Sequence, residues 1–268
     1  SDQVERSGLV KFDFLSVRNL DLIHATEIMI NQREEFKNKK FNIKDIPMDD
    51  ALVYQSFAEG NTIGIFQFES PGMRKTLKNI KADNINDLFA AVALFRPGPM
   101  DHIPEYARRK EGAPYEYIVP EMESILKETY GIMIYQEQVM QTAQKLAGYT
   151  LGQADNLRKA MGKKKPEEMA KQRDIFISGC LKNGISEDKS IEVFNTMEKF
   201  ASYGFNKSHS VAYAILAYRN AYLKTYYPEE YYTALLNTDK SKINIFVQDM
   251  MKNDFSIVNP DINKSKID

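Results

Sequence analysis

A single cysteine and three histidines in 268 residues remove two common ways of bracing a fold. Cys180 has no partner for an internal disulfide. His24, His102 and His209 are too widely spaced, with one cysteine among them, for a structural zinc site. No run of about 18 apolar residues exists to cross a bilayer. The first residues also lack the basic, apolar and small-residue order of a secretion signal, so the expected partners exclude a membrane and the expected location is the cytoplasm. A Gly-x-x-x-x-Gly-Lys-Ser/Thr phosphate loop is missing, because Gly162 runs directly into lysines, and so are the dinucleotide-binding glycine fingerprint and a nucleophile elbow. Excess charge is lacking too: 36 Lys and Arg stand against 37 Asp and Glu. Any polyanion must therefore be met by a local cluster.

What is present suffices for a folded body. A hydrophobic fraction of 43% over 268 residues can bury the core of one large domain or two ordinary ones. The chain opens on Ser1 without an initiator Met, which leads us to expect a fragment of a longer protein. Alternation of Val10, Phe12 and Phe14 with Lys11, Asp13 and Leu15 predicts a strand with Lys11 and Asp13 on one face. Helices are expected over 18–36, from a cap at Asp49 to Gly60, after Ser70-Pro71, over 86–95, 120–128 and 136–147, and from the Thr150/Gln153 capping box to Gly162. Others should follow from Pro166 and over 187–200, 211–226, 228–236 and 241–252. Extended pieces are expected over 62–68 and 131–135. The fold class is mainly α: many helices and a few short strands, preceded by one separate β-strand.

Chemistry concentrates in two places. Arg158, Lys159, Lys163, Lys164 and Lys165 surround a helix-to-helix corner, and residues 158–173 hold seven basic side chains against two acidic ones. Exposed lysines are mostly just solvated. Here the clustering, beside the free N–H groups of a helix start, favours phosphate. The second place is Phe200-Ala201-Ser202-Tyr203-Gly204-Phe205-Asn206-Lys207-Ser208-His209-Ser210, where rings, an amide, a cation and a histidine share one loop. Base stacking, hydrogen bonding and phosphate contact need those side-chain types together. Arg96 in its Pro-Gly-Pro turn is a weaker case. By spacing alone, Lys11 and Asp13 make a surface ion pair.

Six blocks carry a resemblance: Lys11-Phe12-Asp13-Phe14-Leu15, Phe66-Gln67-Phe68-Glu69-Ser70, Leu94-Phe95-Arg96-Pro97-Gly98-Pro99, the run from Tyr130 to Met140, the run from Leu157 to Met169, and Tyr203 to His209. Together they closely resemble the C-family replicative DNA polymerases of bacteria, the polymerase III alpha subunits. The resemblance implies that residues 1–18 end the palm domain and that 19–268 form a fingers domain, incomplete at its C-terminal end. It makes Asp13 a catalytic Mg²⁺ ligand in a two-metal site completed outside this chain, with Lys11 beside the reacting phosphates. It assigns Arg96, Arg158, Lys159, Lys163, Lys164, Lys165, Tyr203, Asn206, Lys207 and His209 to the incoming deoxynucleoside triphosphate and primer-template DNA. The implied whole is a DNA-directed DNA polymerase, a nucleotidyltransferase of chromosomal replication in the bacterial cytoplasm, whose further partners are holoenzyme subunits including a sliding clamp bound elsewhere.

Two departures from the pattern matter. Ser16 stands where the family strand continues with Gly, a change of packing and not of metal binding. The family's other two aspartates lie upstream in a Pro-Asp-x-Asp-x-Asp motif that this sequence lacks; Pro260-Asp261-Ile262-Asn263 matches a different, downstream segment. The chain alone is therefore expected not to polymerise. The competing readings are a non-catalytic helical module that binds nucleic acid and, less favoured, a phosphotransferase of small nucleotides.

Overall fold

The computed structural model describes residues 2–10, 12, 17–163, 166–201, 203–258 and 261–263. Nearly all regular structure in them is helical, in the order α1 (Asp2–Arg6), α2 (Arg18–Ile30), α3 (Ala51–Ala58), α4 (Pro71–Ile80), α5 (Ile85–Leu94), α6 (Ile103–Lys110), α7 (Glu123–Leu126), α8 (Gln136–Ala147), α9 (Leu151–Lys163), α10 (Pro166–Lys182), α11 (Glu187–Ala201), α12 (Lys207–Tyr226), α13 (Pro228–Thr238) and α14 (Ile243–Lys252). The mainly α expectation holds. Local chemistry explains many of the starts: Ser70 Oγ accepts from the Met73 amide before Pro71, and Thr150 and Gln153 exchange backbone and side-chain bonds at 2.8 and 3.3 Å. Such caps satisfy amides that the helix itself leaves unpaired.

Several expectations shift. Helix α2 ends at Ile30 and not at residue 36, because Asn31 clamps the chain onto Phe41 through reciprocal bonds of 3.0 and 2.8 Å. Asp50, not Asp49, caps α3, accepting from the Val53 amide at 3.0 Å. The 62–68 segment is a pair of successive turns and not a strand: the Ile65 amide bonds to Thr62 O and the Phe68 amide to Ile65 O, while Thr62 Oγ1 donates to Phe68 O at 2.6 Å. Folding back this way buries Ile65 and Phe68 completely and sets Phe68 against Phe57. The expected helix over 120–128 is broken into the short α7 flanked by 3-10 turns. Helix α12 starts at Lys207, four residues early, so Lys207 to Ser210 of the expected ligand loop are helical. In the predicted N-terminal strand, Lys11 and Asp13 to Leu15 lie outside the described residues; Val10 and Phe12 belong to no strand and are exposed.

The chain divides into two compact units, residues 1–46 with 226–268, and residues 47–225. In the first, α2 packs on α13, and Arg33 forks onto Glu230 at 2.6 and 2.8 Å while lying over the Tyr227 ring. Phe36, Phe41 and Tyr227 close this corner edge to face. In the second, α8, α9, α10 and α11 pack together, and α4 packs on α3, α5 and α6. The side chains singled out after residue 19 all belong to this second unit.

Candidate functional site

Residues far apart in sequence meet through one parallel β-bridge, Tyr135 to Phe205. The Phe205 amide donates to Ile134 O at 3.2 Å, and the Gln136 amide donates to Phe205 O at 2.9 Å. The loop before α12 is thereby laid along the start of α8. Gln136 then extends both ways: its Nε2 donates to Gly204 O at 3.0 Å, and its Oε1 accepts from Arg158 Nη1 at 3.4 Å. The basic corner and the aromatic loop are joined through this one amide.

Arg96 enters from the other side. Helix α5 stops at Leu94, and Arg96 Nε bonds to Ala93 O at 3.0 Å while Nη2 bonds to Tyr203 O at 2.7 Å. Its guanidinium lies 4.4 Å from the centre of the Phe205 ring, a cation–π distance. Gly98 makes this approach possible. Its φ is +97°, and a Cβ there would stand 2.5 Å from the Tyr203 ring. Burial pulls the Arg96 pKa below the usual guanidinium value, but the group stays charged. Among the described residues it has no carboxylate partner.

From Phe205 an aromatic ladder continues. The His209 ring meets Phe205 edge-on at 5.3 Å and stacks on Tyr213 at 4.1 Å, and Tyr213 stacks on Phe66 at 5.2 Å. His209 and Tyr213 are one helical turn apart on α12, so their rings align. Asn206 Oδ1 accepts from the His209 amide at 2.9 Å, which fixes that turn. Phe205, Tyr213 and Phe66 are half-buried, whereas His209 and Tyr203 are exposed.

The remaining cations are partly neutralised. Asp155 binds Arg158 at 2.8 Å and Lys159 at 2.7 Å, and these bonds, from Lys159 and then Arg158, lower its pKa. Lys207 Nζ forks onto Glu128 at 2.7 and 2.6 Å and sits 5.5 Å from the Tyr135 ring centre. The Lys207 amide is bound by both Glu137 carboxylate oxygens.

The structure thus unites Arg96, Arg158, Tyr203, Asn206 and His209, with Lys159 tied in through Asp155 and Lys207 held by Glu128. Lys163 ends α9, with its side chain outside the described set, and Lys164, Lys165, Lys11 and Asp13 lie outside it altogether. Sequence reasoning placed Phe205 in the aromatic loop and Phe66 and Gln136 in the resemblance blocks without giving any of the three a role of its own, and it did not name Tyr213. Asp155 was visible as the i−3 and i−4 neighbour of Arg158 and Lys159, and Tyr213 as the i+4 neighbour of His209. Gln136 had no such local signal. As for a metal, no group of three or more His, Cys, Asp or Glu side chains gathers among the described residues, so they do not by themselves fit a magnesium site.

The family model for the bacterial DNA polymerase III alpha subunit finger domain matches residues 19–184. Over 98% of its length the chain is 51% identical to the DNA polymerase III subunit alpha of Neisseria meningitidis serogroup B, covering 23% of that protein. It is 47% identical over 99% of its length to the Pseudomonas aeruginosa subunit and 44% identical over 99% to that of Aquifex aeolicus, covering 24% and 23% of them. The chain spans about a quarter of the length of these relatives. A match over more than half of the chain, with identity of this order along nearly all of it, places the chain in the bacterial DNA polymerase III alpha subunit family, with residues 19–184 in its finger domain.

Proposed function

We propose that this chain is the end of the palm (residues 1–18) and most of the fingers (19–268) of a template-directed DNA polymerase, and that the surface around Arg96 receives the incoming deoxynucleoside triphosphate beside primer-template DNA. The observation that carries the reading is Arg96 itself, anchored by two carbonyls and the Phe205 ring, with no neutralising carboxylate among the described residues. A nucleotide needs a positive field for its phosphates and ring surfaces for its base, and Arg96 with the Phe205–His209–Tyr213–Phe66 ladder offers both within one unit. Gln136 holds Arg158 toward the same place. Tyr203 and His209 expose rings to the ligand, and Asn206 sets the first turn of α12. Lys159, Lys163, Lys164 and Lys165 extend the positive field to the triphosphate or the template backbone, and Lys207 joins them on release from Glu128.

In this reading the chemistry that Mg²⁺ would supply when bound is activation of the primer 3′-hydroxyl and support of the leaving pyrophosphate. Asp13 would be this chain's ligand to it, with Lys11 nearby. One carboxylate is not a site, so the chain alone cannot polymerise. The interactions with other replisome subunits, the sliding clamp among them, are proposed to lie elsewhere in the full-length protein.

The test is hydrogen exchange on the chain with and without a deoxynucleoside triphosphate. Residues 94–100 and 203–213 should gain protection in wild type, and Arg96→Lys, which keeps the charge but loses the planar fork, should weaken binding roughly tenfold. A nucleotide that protects neither segment overturns the reading. Duplex binding that falls steeply with salt and ignores nucleotide would favour the helical nucleic-acid module instead. Primer extension by the isolated chain above an Asp13→Ala control would overturn the claim of inactivity.

A further inference from the structure

Helix α4 carries four cations in eight residues at its end, Arg74, Lys75, Lys78 and the following Lys81, and no Asp or Glu anywhere in its sequence PGMRKTLKNI. At about 100° per residue Arg74, Lys75 and Lys78 fall within an arc of about 100°, and Lys81 follows as the left-handed cap. The opposite arc holds Met73, Thr76, Leu77 and Ile80, all buried. The cationic face is therefore oriented by the core and turned outward. Lys75, Lys78 and Lys81 are exposed, and Arg74 is half-exposed with its Nε bonded to Gly60 O at 2.7 Å.

Its partners set this face apart from other basic stretches of the same unit. Arg108 and Arg109 share Glu105, Arg158 and Lys159 share Asp155, Lys189 has Glu192, and Lys207 has Glu128. On α4 only Lys81 has a carboxylate, Glu111. Arg74, Lys75 and Lys78 have none among the described residues. Position adds to the argument. The start of α4 is packed on the residue before Arg96: a Cβ on Gly72 would stand 2.6 Å from the Phe95 ring. Phe66, the last ring of the ladder, lies five residues before Pro71. The helix that carries the row thus begins against the residue that precedes Arg96.

We infer that the outer face of α4 is a track for the DNA sugar-phosphate backbone, with Lys75 and Lys78 as phosphate contacts and Arg74 as a third. From Arg74 to Lys78 the helix rises about 6 Å, the axial length of about two phosphates of one strand. Lysines on a helix whose own sequence carries no acid contact phosphates without reading bases, so the track is independent of sequence. The inference rests on the polymerase reading for its choice of DNA as the polyanion.

The test is fluorescence anisotropy of a labelled random-sequence oligonucleotide, single-stranded in one arm and annealed to its complement in the other, over a salt series. The 268-residue chain is compared with Lys75→Gln/Lys78→Gln, both exposed positions at which Gln keeps the helix. Loss of two phosphate contacts should lower the magnitude of the slope of log affinity against log salt by about 2 and weaken binding about tenfold at low salt, and Lys75→Arg/Lys78→Arg should restore both. The arm that shows the loss identifies the strand form. An unchanged slope in both arms overturns the inference, and so does a loss of affinity that Arg does not restore. The nucleotide protection of residues 94–100 and 203–213 reports separately on the polymerase reading: if it persists in the double variant while the salt slope stays at the wild-type value, the track fails and the reading stands.

Discussion

Two cations close two corners of the same unit, and they are treated in opposite ways. Lys110, the last residue of α6, is 9% exposed and donates to Ile80 O, Lys81 O and Asp87 at 3.1, 2.6 and 2.6 Å, with Asp83 at 2.9 Å. Asp87 is fully buried and also accepts from Tyr106 at 3.0 Å. Burial raises the Asp87 pKa, and Lys110 opposes that rise. Arg96 is just as firmly placed, but by carbonyls and a ring instead of carboxylates. A charge that is buried and cancelled holds two helices together; a charge that is anchored and left uncancelled presents a field to something outside.

The sharpest way to break this comparison is Lys110→Met. Leaving Asp87 buried without its cation should cost about 3–5 kcal/mol in urea unfolding, and a companion Asp87→Asn, which removes the charge and keeps an acceptor for Tyr106, should recover part of it. A loss below about 1 kcal/mol would mean that the Lys110 corner is no more structural than a surface pair. Gly98→Ala acts on the other corner. Its positive φ and the Tyr203 ring 2.5 Å from the new methyl predict a loss of about 1–3 kcal/mol together with weaker nucleotide binding, because Tyr203 and its carbonyl must move from Arg96. Full nucleotide affinity in that variant would separate Tyr203 from the site.

The smallest effect is expected at Glu105, whose carboxyl is held at about 2 by hydrogen bonds from Arg108 and then Arg109. Its folded value lies below the ordinary 4.5, so its contribution to stability is present above that value and is lost as pH falls toward about 2. Chemical unfolding of wild type and Glu105→Gln should therefore converge with acidification across that window. Curves that stay parallel would show the triad of Glu105, Arg108 and Arg109 to be energetically silent, as many exposed pairs are.

Legibility followed the same division. The Thr150/Gln153 box, Ser70-Pro71 and the Arg96-Pro97-Gly98-Pro99 break act within a few residues, and each stands where the sequence places it. The segment over 62–68 misled because β-branched and aromatic residues suit a strand, but a strand needs a neighbour, and none pairs with it among the described residues; burying Ile65 and Phe68 through turns satisfies the same side chains. Basic clustering at 158–165 was visible, and so was its neutralisation by Asp155, one helical turn away; the neutralisation of Lys207 in the second place was not, because Glu128 reaches it across 79 residues.

The sequence by itself determined the helical punctuation and the motif blocks that place the chain in its family, because caps, breakers and helical periodicity act over a turn or two of backbone. Only the tertiary structure decided which cations stay unneutralised and which rings they meet. Arg96 and Tyr203 are 107 residues apart, and their bond exists because the Tyr135–Phe205 bridge and the bare Cα of Gly98 let two separately folded segments come within hydrogen-bonding distance. Such a meeting is fixed by packing over the whole unit, which no local pattern encodes.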